Sequence, residues 1–201
     1  MTHKERSFDH FIEAYNKLDP DEIAARTKLD FNGKSFSLRI MGKNYDAPYP
    51  EFKLEDEEGG EITSGYEKIL FLRFLCEGKY TSPSGKQLSY REIPWGDLYY
   101  PNFEGRCIKR LAQSFGNNIP VFTKIMENSR GLKAQKLTQG DSGYRFEFLN
   151  GLYMSFILWA GDDEFPPSAQ ILFDDNFPAA FSAEDLAVAA GAAIDHLKTR
   201  D

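Results

Sequence analysis

A β-hairpin signal over residues 144–159 constrains the fold of this chain more than any other feature of the sequence. Tyr144–Phe148 alternates aromatic and charged side chains, which predicts a strand with one buried and one exposed face. Asn150-Gly151 favours a tight two-residue turn. Leu152–Trp159 is almost continuously apolar, as is typical of a central strand covered on both faces. With Ala169–Phe173 expected beside it, this segment predicts an antiparallel sheet.

Helical patterns stand in blocks around such strands. Residues 1–28 are expected to form an amphipathic helix, followed by a short helix that starts at Pro20. Hairpins outnumber strand–helix–strand units, which favours the α+β class: a mainly antiparallel sheet covered by helices. The 201 residues fit a single domain over 1–201, because a chain this long buries roughly 70% of the surface that its unfolded form exposes.

Capping patterns mark two of the later helices. Ser64 with Glu67 predicts a capping box at the start of a largely buried helix, which Gly78 would end in the left-handed conformation. Ser182 with Asp185 predicts a second capping box, at the start of a C-terminal helix over 183–198. Both helices are expected to pack on the sheet.

The middle of the chain is predicted to be less regular. Residues 80–103 are expected to form a loop with short extended pieces, because prolines and glycines interrupt them, and helices should follow at about 107–115 and from Asn118. The two cysteines, Cys76 and Cys107, fall on the apolar sides of helices, which predicts two buried thiols in a reducing cytoplasm. The absence of a Cys-x-x-Cys pair argues against a zinc ribbon or an iron–sulfur site.

The charge balance disfavours several classes of partner. The formal net charge is −7 and no Lys/Arg cluster occurs, which argues against nucleic acid and against an anionic membrane surface. The most apolar segment, Ile69–Cys76, is interrupted by Arg73 and is too short to span a bilayer. The polar first residues lack the apolar core of a secretion signal, so a cytoplasmic location is expected.

The segment after Leu152–Trp159 is the strongest candidate for a site. It holds three consecutive acidic residues, Asp162, Asp163 and Glu164, in a loop with rigid proline flanks. Asp174 and Asp175 follow the next predicted strand. If the two strands are antiparallel neighbours, the two acidic clusters lie roughly 17 Å apart, the length of a strand, and do not form one compact site.

Three interpretations of this acidic loop are open from the sequence. Each acidic cluster could hold a hard cation, which prefers oxygen ligands, although the spacing matches no calcium loop. Glu164 could act in acid–base chemistry if Trp159 and Phe165 formed an apolar wall that separated its pKa from that of a neighbouring carboxyl group. Alternatively, the carboxylates only cap their own turns, as Asp commonly does.

A second candidate lies in residues 89–101. Arg91, Tyr99 and Tyr100 stand there between rigid proline and glycine positions, and they could line a pocket for a flat or anionic ligand. The alternative is a loop packed down by its own aromatic side chains. Neither a Gly-x-Ser-x-Gly nucleophile motif nor a phosphate-binding glycine loop occurs, and the three histidines are scattered.

Residues Ile157–Pro166, together with Ile171–Asp174, resemble the signature of an uncharacterised prokaryotic family, domain of unknown function 3786. Arg91–Gly96, Tyr99–Pro101 and Phe115-Gly116 fit the same pattern in order. The resemblance covers most of the chain but implies no established activity. Some members look to be attached to a small four-cysteine iron–sulfur domain, which implies anaerobic redox or corrinoid-related metabolism. This chain lacks that cluster, so a redox role would need a partner protein.

The leading hypothesis is a cytoplasmic domain that binds a small molecule, a cofactor or a metal between the acidic loop and residues 91–100. Asp162 and Glu164 would be ligands or hydrogen-bond acceptors, and Arg91 would meet an anionic group. The alternative is a non-catalytic accessory module that docks a protein partner, and an uncharacterised hydrolase or transferase comes third. A ligand site needs a concave pocket, whereas an interaction module needs an exposed apolar patch. The candidate ligand-binding residues are Trp159, Asp162, Asp163, Glu164, Phe165, Asp174, Arg91, Tyr99 and Tyr100.

Overall fold

The computed structural model describes the backbone of residues 3–200 and the side chains of residues 8–129 and 131–200. Within these residues a nine-stranded antiparallel sheet is covered by helices, which confirms the predicted α+β class. The strands are β1 Asp30–Phe31, β2 Ser35–Ile40, β3 Lys43–Pro48, β4 Glu55–Asp56, β5 Gln87–Ser89, β6 Gln135–Leu137, β7 Ser142–Leu149, β8 Leu152–Trp159 and β9 Ser168–Asp174. Their order is β4-β3-β2-β7-β8-β9-β5, while β1 pairs with β2 and β6 with β7.

The helices lie before, between and after the strands in the chain. They are α1 His3–Tyr15, α2 Pro20–Thr27, α3 Gly65–Glu77, α4 Gly96–Phe103, α5 Lys109–Phe115, α6 Ile119–Asn128, α7 Phe177–Ala180 and α8 Ala183–Lys198. A π-helix, Glu104–Ile108, joins α4 to α5, and short 3-10 turns occupy Tyr90–Glu92 and Arg130–Leu132.

One aromatic core joins the helices to the sheet. The ring of Phe71 in α3 lies 6.0 Å from that of Phe148 in β7, and Phe103 in α4 lies 6.1 Å from Phe173 in β9. All four side chains are buried. Since burying one such side chain contributes roughly 1.5–3 kcal/mol, this layer of rings is a main source of stability.

The opposite side of the sheet carries mostly polar side chains, because successive residues of a strand point to opposite faces. We call this side the open face; its members include Arg39, Arg145, Glu147, Tyr153, Ser155 and Asp174. The prediction that Tyr144–Phe148 is half exposed is wrong in one respect. Glu147 is only 1% exposed and Arg145 is half-buried. Glu147 forms an ion pair with Arg39 in the neighbouring β2, and Arg145 forms one with Asp174 in β9, two strands away.

The predicted hairpin is confirmed. β7 pairs with β8 from Ser142 opposite Leu158 to Leu149 opposite Leu152. Gly151 in the turn has a φ of +78°, in the left-handed region that favours glycine. β8 lies between β7 and β9, so it is the central strand that its apolar sequence predicts.

The terminal helices match the predictions closely. α1 and α2 fall within residues 1–28, of which the first two lie outside the described residues, and α8 spans the predicted 183–198. Ser182 and Asp185 form the predicted capping box. At α3, the Ser64 hydroxyl accepts from the Glu67 N–H at 3.4 Å, but the Glu67 carboxylate contacts His196 instead of closing the box.

Gly78 ends α3 as predicted, but for a different reason. Its backbone is extended (φ −67°, ψ 151°) rather than left-handed. A Cβ at this position would lie 2.4 Å from the Phe74 ring and 2.7 Å from the Ala180 carbonyl oxygen. Close packing, rather than backbone conformation, therefore requires the glycine.

Two predictions for the middle of the chain are corrected. Residues 80–103 are not mainly loop, since they contain β5, a 3-10 turn and α4, and α4 continues through the π-helix into α5. Pro101 lies inside this helix, where a wider π turn follows it and accommodates the interrupted hydrogen bonding. Both cysteines are free, but only Cys107 is buried, because Cys76 lies on the partly exposed side of α3.

Candidate functional site

The predicted acidic loop forms the tip of the β8–β9 hairpin. Strand pairing runs up to Trp159 opposite Ser168, and every residue from 159 to 166 is exposed. We call residues 159–166 the hairpin tip. Its far side is anchored where Pro167 packs on Gly116, at the end of α5; the Pro167 Cβ lies 2.5 Å from where a Cβ on Gly116 would be. The tip therefore projects from a fixed base, and among the described residues it lines none of the cavities described below.

Asp162 shapes the turn inside the hairpin tip. Its Oδ1 accepts from the N–H groups of Phe165 at 2.7 Å and Glu164 at 2.9 Å, while its own N–H donates to the Phe165 carbonyl oxygen at 2.9 Å. These hydrogen bonds, from Phe165 and then Glu164, hold the pKa of Asp162 below its usual range. Asp162 thus caps its own turn, which was one of the open interpretations.

The next two acidic side chains of the tip have no partner among the described residues. Within the described residues, Asp163 and Glu164 make no side-chain hydrogen bond or ion pair. Asp141 adds a further carboxylate, since its Oδ2 accepts from the Ala160 N–H at 2.8 Å. Because Glu164 is exposed, no apolar wall encloses its carboxylate.

Two aromatic rings accompany these carboxylates. Phe165 is 67% exposed and Trp159 is 37% exposed, so both are large apolar side chains in contact with solvent. The hairpin tip is accordingly a projecting surface that is acidic and aromatic at once.

Asp174 lies at the other end of β9, as the antiparallel pairing predicts. It is buried and forms a bidentate ion pair with Arg145, whose Nε lies 3.0 Å from Oδ1 and whose Nη2 contacts Oδ2. The Arg145 guanidinium in turn lies 4.0 Å above the centre of the Tyr153 ring. Asp174 is therefore part of the open face, and it does not join the hairpin tip.

Residues 91–100 fold back on themselves. Arg91 donates to Asp97 at 3.1 Å and lies 3.6 Å over the Tyr100 ring. Its guanidinium therefore interacts with partners inside the same segment. The neighbouring Tyr90 is buried, and its hydroxyl donates to the Ala183 carbonyl oxygen at 2.7 Å. Tyr99 stays 40% exposed. Within the described residues, no hydrogen bond, ion pair or ring contact joins this segment to the hairpin tip.

Residues 19–196 match the model of a family described as "Domain of unknown function (DUF3786)". The chain belongs to this family. The match confirms the resemblance carried by the motifs of the hairpin tip and of residues 91–101. No curated protein and no solved structure matches the chain. For this DUF3786 protein, any function is accordingly inferred from its own geometry.

Sequence reasoning missed an ionic network on the open face of this DUF3786 chain. Arg39 in β2 donates from Nε and Nη2 to the two carboxylate oxygens of Glu147, both at 2.6 Å, and Lys133 lies 3.4 Å from the same carboxylate. Burial alone would raise the pKa of Glu147, but the hydrogen bonds from Arg39 and the Gly151 N–H and the nearby positive charges hold it below its usual range. Arg145 and Glu147 were visible in the sequence as the charged positions of an alternating strand, but that pattern predicts exposed rather than buried charges.

A cavity of about 240 Å³ lies beside this network, at the β2–β3–β4 end of the open face. Its lining combines neutral polar side chains, the flank of Arg39 and several carboxylates: Asp30, Ser37, Asn44, Asp46, Glu55, Glu57 and Asn150. Among the residues that the structure describes, no group of three or more His, Cys, Asp or Glu side chains is placed to hold a metal ion. In the same part of the chain, no helix has the length and hydrophobicity to span a bilayer.

Proposed function

We propose that this chain is a non-catalytic accessory protein that docks a partner protein through the hairpin tip. The observation that carries the proposal is the exposure of Trp159 and Phe165 on a projecting turn rimmed by unpaired carboxylates. A small-molecule site encloses most of its ligand in a concave pocket. A projecting turn encloses nothing, but it can enter a groove on another protein.

The energetics of association favour such a feature. Aromatic side chains dominate interface hot spots, and a buried ring covers roughly 150–250 Å². At their observed exposures, Trp159 and Phe165 would lose on the order of 200 Å² to a partner, against about 800 Å² per side for a standard interface. The two rings would therefore anchor the contact, and flanking residues would supply the rest.

The base of the tip reduces the cost of binding. β8 and β9 are paired up to its first residue, Asp162 closes its turn, and Pro167 packs on Gly116. A surface that is already ordered loses little conformational entropy when it binds, which increases the affinity.

Charge indicates the kind of partner. Asp163 and Glu164 lie in the tip, Asp141 lies beside it, and the whole chain has a formal net charge of −7. A partner with a basic rim around an apolar groove complements this surface, and attraction between the two would accelerate association at low salt. We place the interaction in the prokaryotic cytoplasm. If the anaerobic redox or corrinoid-related metabolism that the family resemblance implies extends to this chain, which lacks the four-cysteine cluster, the partner would be a redox protein.

The test compares two variants that each replace a tryptophan and a second large exposed apolar side chain, and the control pair is the more exposed of the two. Tagged wild type, the tip variant Trp159→Ser/Phe165→Ser and the control Trp95→Ser/Leu98→Ser, altered in α4 and just before it, are used to capture proteins from a lysate of the source organism. We expect one protein to be retained by wild type and control and lost with the tip variant. Once purified, that protein should bind more weakly as salt increases.

Circular dichroism checks that the variants fold, as exposed substitutions usually change stability by no more than about 0.5 kcal/mol. Retention of the partner by the tip variant, or equal loss with both variants, would contradict the proposal. So would failure of the wild type to capture any protein specifically.

A second candidate is the binding of a small polar molecule, which the cavity of about 240 Å³ on the open face favours. Arg39, Ser37 and Asn44 offer hydrogen-bonding groups there, and neither the hairpin tip nor residues 91–100 line it. Native mass spectrometry of untagged protein prepared without chelator would detect a bound molecule or metal. An adduct that disappears in Asn44→Leu and persists in Glu164→Gln supports this site. An adduct that persists in Asn44→Leu and disappears in Glu164→Gln would instead indicate binding at the hairpin tip.

A further inference from the structure

A second cavity, of about 210 Å³, lies between the start of α3, the π-helix and α8. Arg106 of the π-helix and Arg110 of α5 line one side, Ser64 lies at the start of α3, and Gly191 lies on α8. A single water requires roughly 10–15 Å³ of such space, so this cavity has room for a small molecule or group rather than for one solvent molecule.

The four charged side chains that line this cavity, two arginines and two carboxylates, are not all paired with one another. Glu67 contacts His196 at 2.9 Å, and Asp195 forms an ion pair with Arg110. Arg106, in contrast, makes no hydrogen bond or ion pair within the part of the chain that the structure describes. Both carboxylates on the lining therefore have partners, while the exposed guanidinium of Arg106 has none among the described residues.

The helix geometry brings the two arginines to one side. Arg106 and Arg110 are four residues apart across the junction of the π-helix with α5, and both reach the same cavity. Like charges at this spacing repel each other. Asp195 offsets the charge of Arg110, so a bound anion would offset the remaining charge of Arg106. π-turns also occur frequently at functional sites.

The floor of the cavity is open to a ligand. A Cβ built on Gly191 would meet only the Nη1 atom of Arg110, at 3.9 Å. That nitrogen therefore lies above the glycine, while Nη2 of the same guanidinium contacts Asp195. Since a guanidinium carries five N–H donors, Arg110 can hold Asp195 and still donate to a second acceptor.

We propose that this cavity binds a small oxyanion, the phosphate or carboxylate group of a metabolite or of a modified side chain. Arg106 supplies the principal charge, and its planar donors match the paired oxygens of either group. Arg110 donates from the side, and Gly191 leaves the space that the anion occupies. The site is distinct from the hairpin tip, so its failure and that of the docking proposal are independent.

The test titrates the full chain with inorganic phosphate and, separately, with acetate, at ionic strength held constant with sodium chloride. Heteronuclear NMR shifts report the binding. We expect saturable shifts at residues around the cavity, and a dissociation constant that rises at least tenfold in Arg106→Gln. Tighter binding of phosphate than of acetate assigns the site to phosphate groups, and the opposite order assigns it to carboxylates.

Two matched controls separate a built site from general charge attraction. Lys109→Gln removes the same charge three residues further along the helix, from a side chain that does not line the cavity, and should leave the dissociation constant within twofold of the wild type. Gly191→Leu fills the space without changing charge and should abolish the shifts, whereas Gly191→Ala should retain them. Equal weakening by Arg106→Gln and Lys109→Gln, wild-type binding in a folded Gly191→Leu variant, or no saturable binding to the wild type would overturn the proposal.

Discussion

The ion pair between Arg39 and Glu147 leads to a specific prediction for Arg39→Met. The Glu147 side chain is 2% exposed, and two hydrogen bonds from Arg39 satisfy it. Breaking a fully buried pair by removing one partner costs about 3–5 kcal/mol. Arg39 is itself 33% exposed, and Lys133 lies 3.4 Å from the same carboxylate. We therefore expect a smaller loss of unfolding free energy, about 2–3 kcal/mol near pH 7.5.

The pH dependence of that loss has a definite sign. In the wild type the pKa of Glu147 is lowered. The contribution of the ionised Glu147 to the free energy of unfolding is therefore complete above the unfolded-state pKa of about 4.3 and is lost only below it. Without Arg39, burial dominates and raises the folded pKa above the unfolded value. The variant therefore binds a proton on folding, and its deficit relative to wild type shrinks between about pH 7.5 and about pH 5.

Urea and thermal denaturation followed by circular dichroism measure both effects. For a chain of this length a loss of 1 kcal/mol lowers Tm by roughly 2–4 °C, so Arg39→Met should melt about 4–12 °C below wild type near neutral pH. Arg91→Met is the control, since its ion pair with Asp97 is exposed and such pairs contribute at most about 1 kcal/mol. Equal losses for the two variants, or a deficit independent of pH, would refute the reasoning.

The remaining predictions concern backbone packing and thiol reactivity. A Cβ on Gly96 would lie 1.8 Å from the Tyr90 carbonyl oxygen, so Gly96→Ala should lower the unfolding free energy by several kcal/mol in urea denaturation. A Cβ on Gly105 would meet no atom within 4 Å outside its chain neighbours and its own helix backbone, so Gly105→Ala should leave the unfolding free energy unchanged or raise it by about 0.5–1 kcal/mol. Burial raises the pKa of Cys107 to about 12 and that of Cys76 to about 11, so iodoacetamide should alkylate both slowly in the native protein at neutral pH and rapidly in denaturant. Rapid labelling of native Cys107, seen by mass spectrometry, would contradict its buried position.

The sequence predicted the features that neighbouring residues determine. The central position of Leu152–Trp159, the turn at Gly151 and the capping box at Ser182 each follow from a few consecutive side chains and were confirmed. The separation of Asp174 from the acidic loop also followed, because pairing two antiparallel strands fixes which ends meet.

The features that the sequence did not predict depend on distant residues. Glu147 is buried by Arg39, which is 108 positions away in the chain, so no local pattern could separate it from an exposed charge. The same holds for Glu67, whose carboxylate reaches His196 instead of closing its own capping box. Whether the acidic loop lines a pocket or projects depended on where residues 91–100 fold.

The strands at the margins of the sheet have a consequence for solubility. β1, β4, β5 and β6 contain only two or three residues each, whereas the aromatic-rich strands β7 and β8 contain eight each and lie inside the sheet. Long unpaired edges recruit strands from other chains and begin aggregation. The outermost strands β4 and β5 are so short that they present few free backbone groups of their own, so another chain has little of either strand to pair with. A substitution or insertion that lengthened β5 would remove that protection and allow strands of other chains to pair with the sheet and aggregate.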